Sequence, residues 1–222
     1  MGRPGAGAAQ GDRRVGRGAK RPEYRKRPLT VPVDDISERY LKKAIAEINE
    51  LGREIAQAAG QEAAPVIGSG HPLADIFLLK YGPQDAEQHE GVAFFGRAGQ
   101  AILKSLQRLR VDPTAIYGTN CLKFAGADEE QAHAWLAREL HIVQPKLIVV
   151  MGQDALACLN AVRFPLAAEV ANEPGTLQRF TPTIEALVAP DLDASLDDST
   201  AKKAFWDAFK AIGPWWSELP PY

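Results

Sequence analysis

Two acidic segments hold side chains suited to polar chemistry. One contains Asp85, Glu87 and His89, and the other contains Asp191 and Asp193. A carboxylate can orient a water molecule or stabilise a developing positive charge on a sugar, as in glycoside hydrolysis generally. These residues alone do not assign a catalytic role, and Glu87 and Asp191 are the candidates for one. The alternative for both segments is a solvated acidic loop.

Cysteine and histidine usage argues against a metal centre. The two cysteines, Cys121 and Cys158, lie far apart in the sequence and in unlike contexts. They predict no disulfide framework, and two thiolates cannot hold an iron–sulfur cluster. The histidines show no metal-ligand spacing. The sequence predicts no metal, no cofactor and a reducing, cytoplasmic location.

The net charge of −2 conceals an asymmetry. Residues 1–27 hold nine basic side chains against two acidic ones, which leaves 17 basic and 26 acidic side chains in the remainder. We expect residues 1–33 to form a disordered basic Gly/Arg-rich tail, because such a segment cannot bury apolar surface. The tail either contacts nucleic-acid phosphates without sequence preference or only aids solubility. No apolar run is long enough to span a membrane.

The elements that position these side chains follow from the apolar pattern. Buried strands are predicted at 75–79, 115–119, 147–151 and 184–188, with amphipathic helical segments between them. This alternation predicts an α/β fold of three layers, with a central four-stranded parallel sheet flanked by helices. The folded domain is expected over 34–213, followed by a Pro/Trp-rich tail over 214–222. Ligands of such sheets bind beyond the carboxyl ends of the strands.

The most specific motif is Gly-Val-Ala-Phe-Phe-Gly-Arg-Ala-Gly-Gln over 91–100. It follows a Gly-Ser-Gly turn at 68–70, a strand, and a Lys-Tyr-Gly-Pro-Gln loop at 80–84. Later segments read Thr-Asn-Cys-Leu-Lys at 119–123 and Pro-Lys-Leu-Ile-Val-Val-Met-Gly at 145–152. In order and spacing, these segments resemble the uracil-DNA glycosylase superfamily, and family 4 most of all. The resemblance covers roughly residues 50–212.

This resemblance implies a pocket for a base flipped out of DNA. Phe94 matches the phenylalanine that stacks on uracil, and Asn120 matches the asparagine that reads the pyrimidine edge. An aromatic face accepts any base, and an amide offers both a donor and an acceptor. The alternatives are that Phe94 is an ordinary core residue and that Asn120 caps a turn.

The same comparison identifies departures from the family at the catalytic loops. Where the family has Gly-Glu-Ala-Pro-Gly, this chain has Lys80, Tyr81, Gly82, Pro83 and Gln84. A water-positioning Asp or Asn of the superfamily is replaced by Gly82.

The family's last motif, His-Pro, reads Ala189-Pro190. An alanine cannot donate the hydrogen bond that stabilises the departing uracil anion. Losing one such donor lowers rates by ~10²–10³. Uracil excision by the usual residues is therefore expected to be slow or absent.

Two further expectations come from the resemblance. The cluster cysteines of family 4 are missing, with Phe124 and Ala132 at two of their positions, so no iron–sulfur cluster is expected. Lys80 and Lys123 are expected either to contact DNA phosphate or to be merely solvated.

The combined prediction is a divergent glycosylase-like protein of DNA repair. It recognises a flipped uracil or deaminated base in uracil-containing or single-stranded DNA, with impaired or altered hydrolysis of the N-glycosidic bond. The alternative is a catalytically inactive DNA-binding or protein-interaction module on the same fold. We expect a monomer that does not associate with membranes.

Overall fold

A six-stranded sheet forms the centre of the molecule. The computed structural model describes Gly2, residues 33–61 and residues 63–220, so the predicted basic tail lies almost entirely outside the described residues. The strand order is β1-β3-β2-β4-β6-β5. The strands are β1 (Ser69–Gly70), β2 (Ile76–Lys80), β3 (Ile116–Asn120), β4 (Leu147–Met151), β5 (Leu177–Arg179) and β6 (Glu185–Ala189).

The predicted four-stranded parallel sheet is the middle of this sheet. Strands β3, β2, β4 and β6 are mutually parallel, whereas β1 and β5 pair antiparallel at the two edges. The sequence analysis missed both edge strands. With two and three residues they are too short to show the alternation that identifies a strand.

Helices cover both faces of the sheet. They are α1 (Val33–Ala59), α2 (Asp85–Glu90), α3 (Arg97–Leu109), α4 (Glu129–Val143), α5 (Gln153–Ala161), α6 (Leu192–Ser195), α7 (Ser199–Phe209) and α8 (Ile212–Glu218). Asp128 and Asp198 cap α4 and α7 by accepting a hydrogen bond from a backbone N–H of the first turn. No helix among the described residues is long and apolar enough to cross a membrane.

Each central strand is buried on both faces, which explains its unbroken apolar run. In β2, Phe77 and Leu79 face a cluster built with α4 and α5, whereas Ile76 and Leu78 face a second cluster built with α3, α7 and α8. A third cluster joins α1 to α4.

The folded body extends beyond residue 213, where the sequence analysis placed its end. Ile212 and Trp215 of α8 are buried in the second cluster, and the Trp215 Nε1–H donates to Glu185 Oε2 of β6 at 2.7 Å. The Pro/Trp-rich composition was interpreted as a tail, but the tryptophan supplies apolar area and a polar tip that anchor a short helix.

Candidate active site at the carboxyl edge of the sheet

The four parallel strands end side by side in Asn120, Lys80, Met151 and Ala189. Lys80 is in register with both Asn120 and Met151, and Met151 is in register with Ala189. Neighbouring strands are ~4.8 Å apart, so these residues form a row along one edge. The edge therefore brings together the loops that the sequence analysis selected.

Asn120 is buried without a partner. Its exposed fraction is 0 %, and neither Oδ1 nor Nδ2 has a hydrogen-bond partner among the described residues. Leaving a buried polar group unpaired costs ~1–3 kcal/mol. Asn120 is thus not the satisfied turn cap of the alternative interpretation. Its amide has a donor and an acceptor available for a ligand.

Phe94 is held in a conformation that its neighbours impose. Its φ is 59°, in the left-handed region that non-glycine residues rarely adopt. A Cβ on Gly118 would lie 2.6 Å from the Phe94 ring, and one on Gly99 would lie 1.9 Å from the Phe94 carbonyl oxygen. The Phe94 N–H donates to Glu87. The half-buried ring is therefore placed by close backbone approach, as is common at functional sites.

Lys80 lies at the centre of a buried ionic cluster. Only 2 % of its side chain is exposed, and its Nζ lies 2.7 Å from Glu87 Oε2 and 2.8 Å from Asp193 Oδ2. The ammonium also lies 5.8 Å from the centroid of the Phe94 ring. This burial contradicts the expected phosphate contact of Lys80, because its charge is already neutralised inside the protein.

The two carboxylates singled out in the sequence both have structural partners. Glu87 is fully buried and accepts from Lys80, from the Phe94 N–H and from the Gln84 N–H at 2.7 Å. Asp191 caps α6, with Oδ1 accepting from the Asp193 N–H at 2.8 Å. Glu87 is therefore engaged on both oxygens, whereas Asp191 is exposed at the cavity and its hydrogen bonds with described residues involve Oδ1.

Asp193 joins the Lys80 cluster through one of its two carboxylate oxygens. Its Oδ2 accepts from Lys80 and from Gln84 Nε2 at 3.1 Å, whereas its buried Oδ1 has no partner among the described residues. Its side chain is 17 % exposed and lines a cavity of about 240 Å³ at the ends of β2, β4 and β6. Asp193 therefore lies at the cavity wall with one oxygen paired and the other buried without a partner among the described residues.

Lys123 is also buried, which contradicts its expected contact with DNA. Its Nζ is paired with Glu139 of α4 and donates to Thr119 Oγ1 at 2.6 Å. The Tyr117 hydroxyl donates to Glu139 Oε1 at 3.0 Å. Burial, with the Glu139 charge as the next cause, raises the pKa of Tyr117 far above its usual range. The pair ties the end of β3 to α4.

The residues at which the sequence predicts departures from the family motifs lie in different environments. Tyr81 packs against the first core cluster, whereas a Cβ added at Gly82 would meet nothing within 4 Å. Ala189 is buried in the second cluster, on the face against which Phe94 packs, and Pro190 follows it at the edge. Pro83 and Gln84 line the cavity with Asp193.

The positions expected for cluster cysteines belong to apolar packing. Phe124 packs with Trp135 in the third cluster, with ring centroids 6.0 Å apart, and Ala132 is fully buried. No group of three or more potential metal ligands occurs among the described residues.

The two cysteines meet in the fold, although they are 37 positions apart in the sequence. The Cys121 and Cys158 thiols are free and buried in the same core cluster. Burial is the main cause that raises the pKa of the Cys121 thiol. The sequence analysis treated them as separate because residues so distant in the chain give no sign of contact.

The buried ionic cluster of Lys80, including its contact with Asp193, was also not predicted from the sequence. The available signal was Lys80 itself, which directly continues the buried run Ile-Phe-Leu-Leu. A lysine at the end of a strand buried on both faces needs a carboxylate partner. The acidic segments at 85–87 and 191–193 were the places to seek that partner.

Comparison with known proteins gives consistent matches. The family model described as the uracil DNA glycosylase superfamily matches residues 67–210. A type-4 uracil-DNA glycosylase of Sulfurisphaera tokodaii is 29 % identical over a 99-residue alignment that covers 40 % of this chain and 45 % of that protein. One from Archaeoglobus fulgidus is 23 % identical over a 159-residue alignment that covers 67 % of this chain and 80 % of that protein. The first alignment thus spans less than half of the relative.

Proposed function

Because this chain belongs to the uracil DNA glycosylase superfamily, we propose that it recognises a flipped uracil or another deaminated base in DNA, with altered hydrolysis of the N-glycosidic bond. Asn120 reads the edge of the base and Phe94 supplies an aromatic face for it. The glycosylase names of the two relatives support a DNA substrate. Extruding a base from the stack costs a few kcal/mol, which such a pocket must offset.

The observation that carries the proposal is the unpartnered amide of Asn120. A pyrimidine edge presents a carbonyl oxygen beside a ring N–H, and one side-chain amide can pair with both. Native proteins rarely leave such a group buried and unsatisfied, and the exceptions call for an explanation. Base binding supplies one, because it satisfies both atoms at once.

The proposed chemistry uses Asp193 instead of Glu87 or Asp191. Its side chain lines the cavity, its Oδ1 has no partner among the described residues, and its charge can stabilise a sugar that develops positive charge. Lys80, on the other oxygen, holds the carboxylate in place. The position that carries a histidine in the family is Ala189, which offers no hydrogen-bond donor to the leaving base. The rate is therefore expected to be ~10²–10³ lower than with such a donor.

A second candidate is a catalytically inactive DNA-binding or interaction module. It is favoured by the Lys80 ammonium near the Phe94 ring, because a base that stacked on that face would have to displace the charge. In this case the ionic cluster of Lys80, Glu87 and Asp193 fills the space beside Phe94 and stabilises the fold without binding a base.

Binding and excision measured on the same oligonucleotides separate the two candidates. For a single strand containing uracil, Phe94→Ala is expected to weaken binding by ~1–3 kcal/mol, the value of one aromatic stack. Asn120→Ala is expected to reduce the preference for uracil over thymine more than the total affinity, because base contacts specify and phosphate contacts position. Asn172→Ala, at an exposed asparagine before β5, is the matched control.

The excision assay then tests Asp193. Wild type is expected to release uracil slowly, and Asp193→Asn is expected to abolish release while binding persists. A wild type that shows no preference for uracil, together with an unchanged Phe94→Ala variant, would leave the inactive module as the function.

A further inference from the structure

A basic groove lies between α3 and α7, beside the candidate active site. It has a volume of about 620 Å³. Arg97, Lys104 and Arg108 line it from α3, and Lys202 and Lys203 line it from α7. None of the described residues that line it is acidic.

Most of the positive charge in this groove is not neutralised by an ion pair with a described residue. Arg97 pairs with Asp197 at the rim. The other four basic side chains are exposed and form no ion pair with a described residue. The chain outside residues 1–27 is acidic as a whole. A concentration of positive charge on such a body creates a local field that attracts polyanions.

One end of the groove is close in the chain to the proposed base site. Arg97 follows Phe94 by three residues, and the wall residues Leu192 and Ser195 belong to α6, which follows Ala189 and Pro190. From Arg97 to Arg108 the helix extends ~16 Å, at ~1.5 Å per residue. That length matches four or five nucleotides of one strand at ~3.4 Å each.

The groove also offers a flat surface. The Arg108 guanidinium lies 4.3 Å from the centroid of the half-buried Trp206 ring, and Phe205 and Leu192 contribute apolar lining. Proteins that hold single-stranded nucleic acids combine a basic groove along the backbone with aromatic faces for the bases. An acidic peptide would use the cations but has no need of this stacked pair.

We propose that the groove between α3 and α7 binds the phosphodiester backbone of single-stranded DNA on one side of the flipped nucleotide, with the Arg108–Trp206 pair as a stacking surface. This inference rests on the proposed function, since that function supplies the nucleotide from which the strand leaves. The groove adds affinity and direction, whereas Asn120 and Phe94 select the base.

The test compares two triple variants of the full chain. Lys104→Ala/Lys202→Ala/Lys203→Ala removes three cations from the groove. Lys42→Ala/Lys43→Ala/Lys146→Ala removes three exposed cations from α1 and from the opposite edge of the sheet. The two variants have equal net charge, and both keep the basic N-terminal segment. Differences between them therefore report on the groove.

Binding of uracil-containing single strands is measured at several salt concentrations. A plot of log affinity against log salt has a negative slope. The groove variant is expected to make this slope shallower by ~2, because each phosphate contact contributes ~0.7 to its magnitude in single strands. The control is expected to keep the wild-type slope. Lengthening the strand on one side of the uracil is expected to raise affinity for wild type and control, but not for the groove variant.

Equal slopes for the two triple variants would overturn the inference, as would equal gains from lengthening on either side of the uracil. Competition by polyglutamate as effective as that of an oligonucleotide of equal charge would assign the groove to an acidic polypeptide instead. If wild type shows no uracil preference but only the groove variant loses affinity for DNA, the proposed function fails while the groove assignment stands.

Discussion

Asn120 links function and stability at the scale of a single residue. Its amide is buried and unpartnered among the described residues, so the folded state bears a desolvation cost that the unfolded chain does not. Asn120→Ala removes that cost along with the recognition group. We expect the variant to gain about 1 kcal/mol in free energy of unfolding while it loses preference for uracil. Urea denaturation measures the first effect, and a loss of stability would show that the amide is paired in the folded protein.

Ala189 sets the limit on leaving-group chemistry, and replacing it tests that limit. Ala189→His introduces a donor on the face of the sheet against which Phe94 packs, so we expect faster uracil release. The larger side chain enters a packed cluster and should cost ~1–3 kcal/mol of stability. Single-turnover excision assays measure the gain.

Gly82→Asn extends this experiment at a position with open space around it. Added to Ala189→His, it is expected to raise the rate further by positioning water. Ala189→Leu, which is also large but has no hydrogen-bond donor, is the control for crowding. Equal rates for Ala189→His and wild type would place the leaving base elsewhere.

Some of these residues were predictable and others were not. Phe94 and Asn120 were selected from motif order, and their roles in base binding remain predictions. The partners that immobilise Lys80, Lys123 and Glu87 were not predictable, because such pairs join segments far apart in the sequence. Most lysines are exposed, so a sequence alone predicts a solvated side chain, and only the position of the sheet shows that these lysines are buried.

At the scale of elements, the Lys123–Glu139 pair joins the end of β3 to α4. Glu139→Gln leaves the Lys123 ammonium buried without a counter-charge, so we expect a loss of ~3–5 kcal/mol in free energy of unfolding. The double variant Lys123→Met/Glu139→Leu removes both charges and is expected to be far less destabilised.

The exposed Arg138–Glu54 pair is the control for the buried one. It joins α4 to α1, and Glu54→Gln is expected to change stability by at most ~1 kcal/mol, because exposed ion pairs contribute little. Chemical denaturation of all variants gives the comparison. Equal effects at Glu139 and Glu54 would mean that water reaches the buried pair.

The parallel strands were predictable because burial on both faces gives long apolar runs, which are recognisable without knowledge of the fold. Three of the four observed strands lie one residue later than predicted, as β2, β3 and β6 show. That shift places Lys80, Asn120 and Ala189 inside strands, so the backbone ladder fixes them. The short edge strands β1 and β5 depend on partners already in place, and their own sequences do not specify them.

At the scale of the whole molecule, charge is divided between a basic N-terminal segment and an acidic body that carries the basic groove between α3 and α7. Deleting residues 1–27 is expected to leave the melting temperature nearly unchanged, because a Gly/Arg-rich segment buries little surface. If the segment binds duplex DNA, the deletion also flattens the salt dependence of binding, by ~0.9 for each phosphate that the segment neutralises. Calorimetry and salt titration test these effects, and a large fall in melting temperature would mean that the segment packs on the body.

The expected monomer remains a prediction. The edge strands β1 and β5 have two and three residues, so they offer few free backbone groups to a second sheet.

The anchoring of α8 has a consequence for how the protein is made. Phe205, Phe209, Ile212 and Trp215 complete the second core cluster, yet they are translated after every strand of the sheet. A nascent chain on the ribosome therefore exposes one apolar face of β2, β4 and β6 until these residues leave the exit tunnel. Domains fold as units during synthesis, so premature termination just before α7 would release a chain that chaperones and proteases recognise as unfinished.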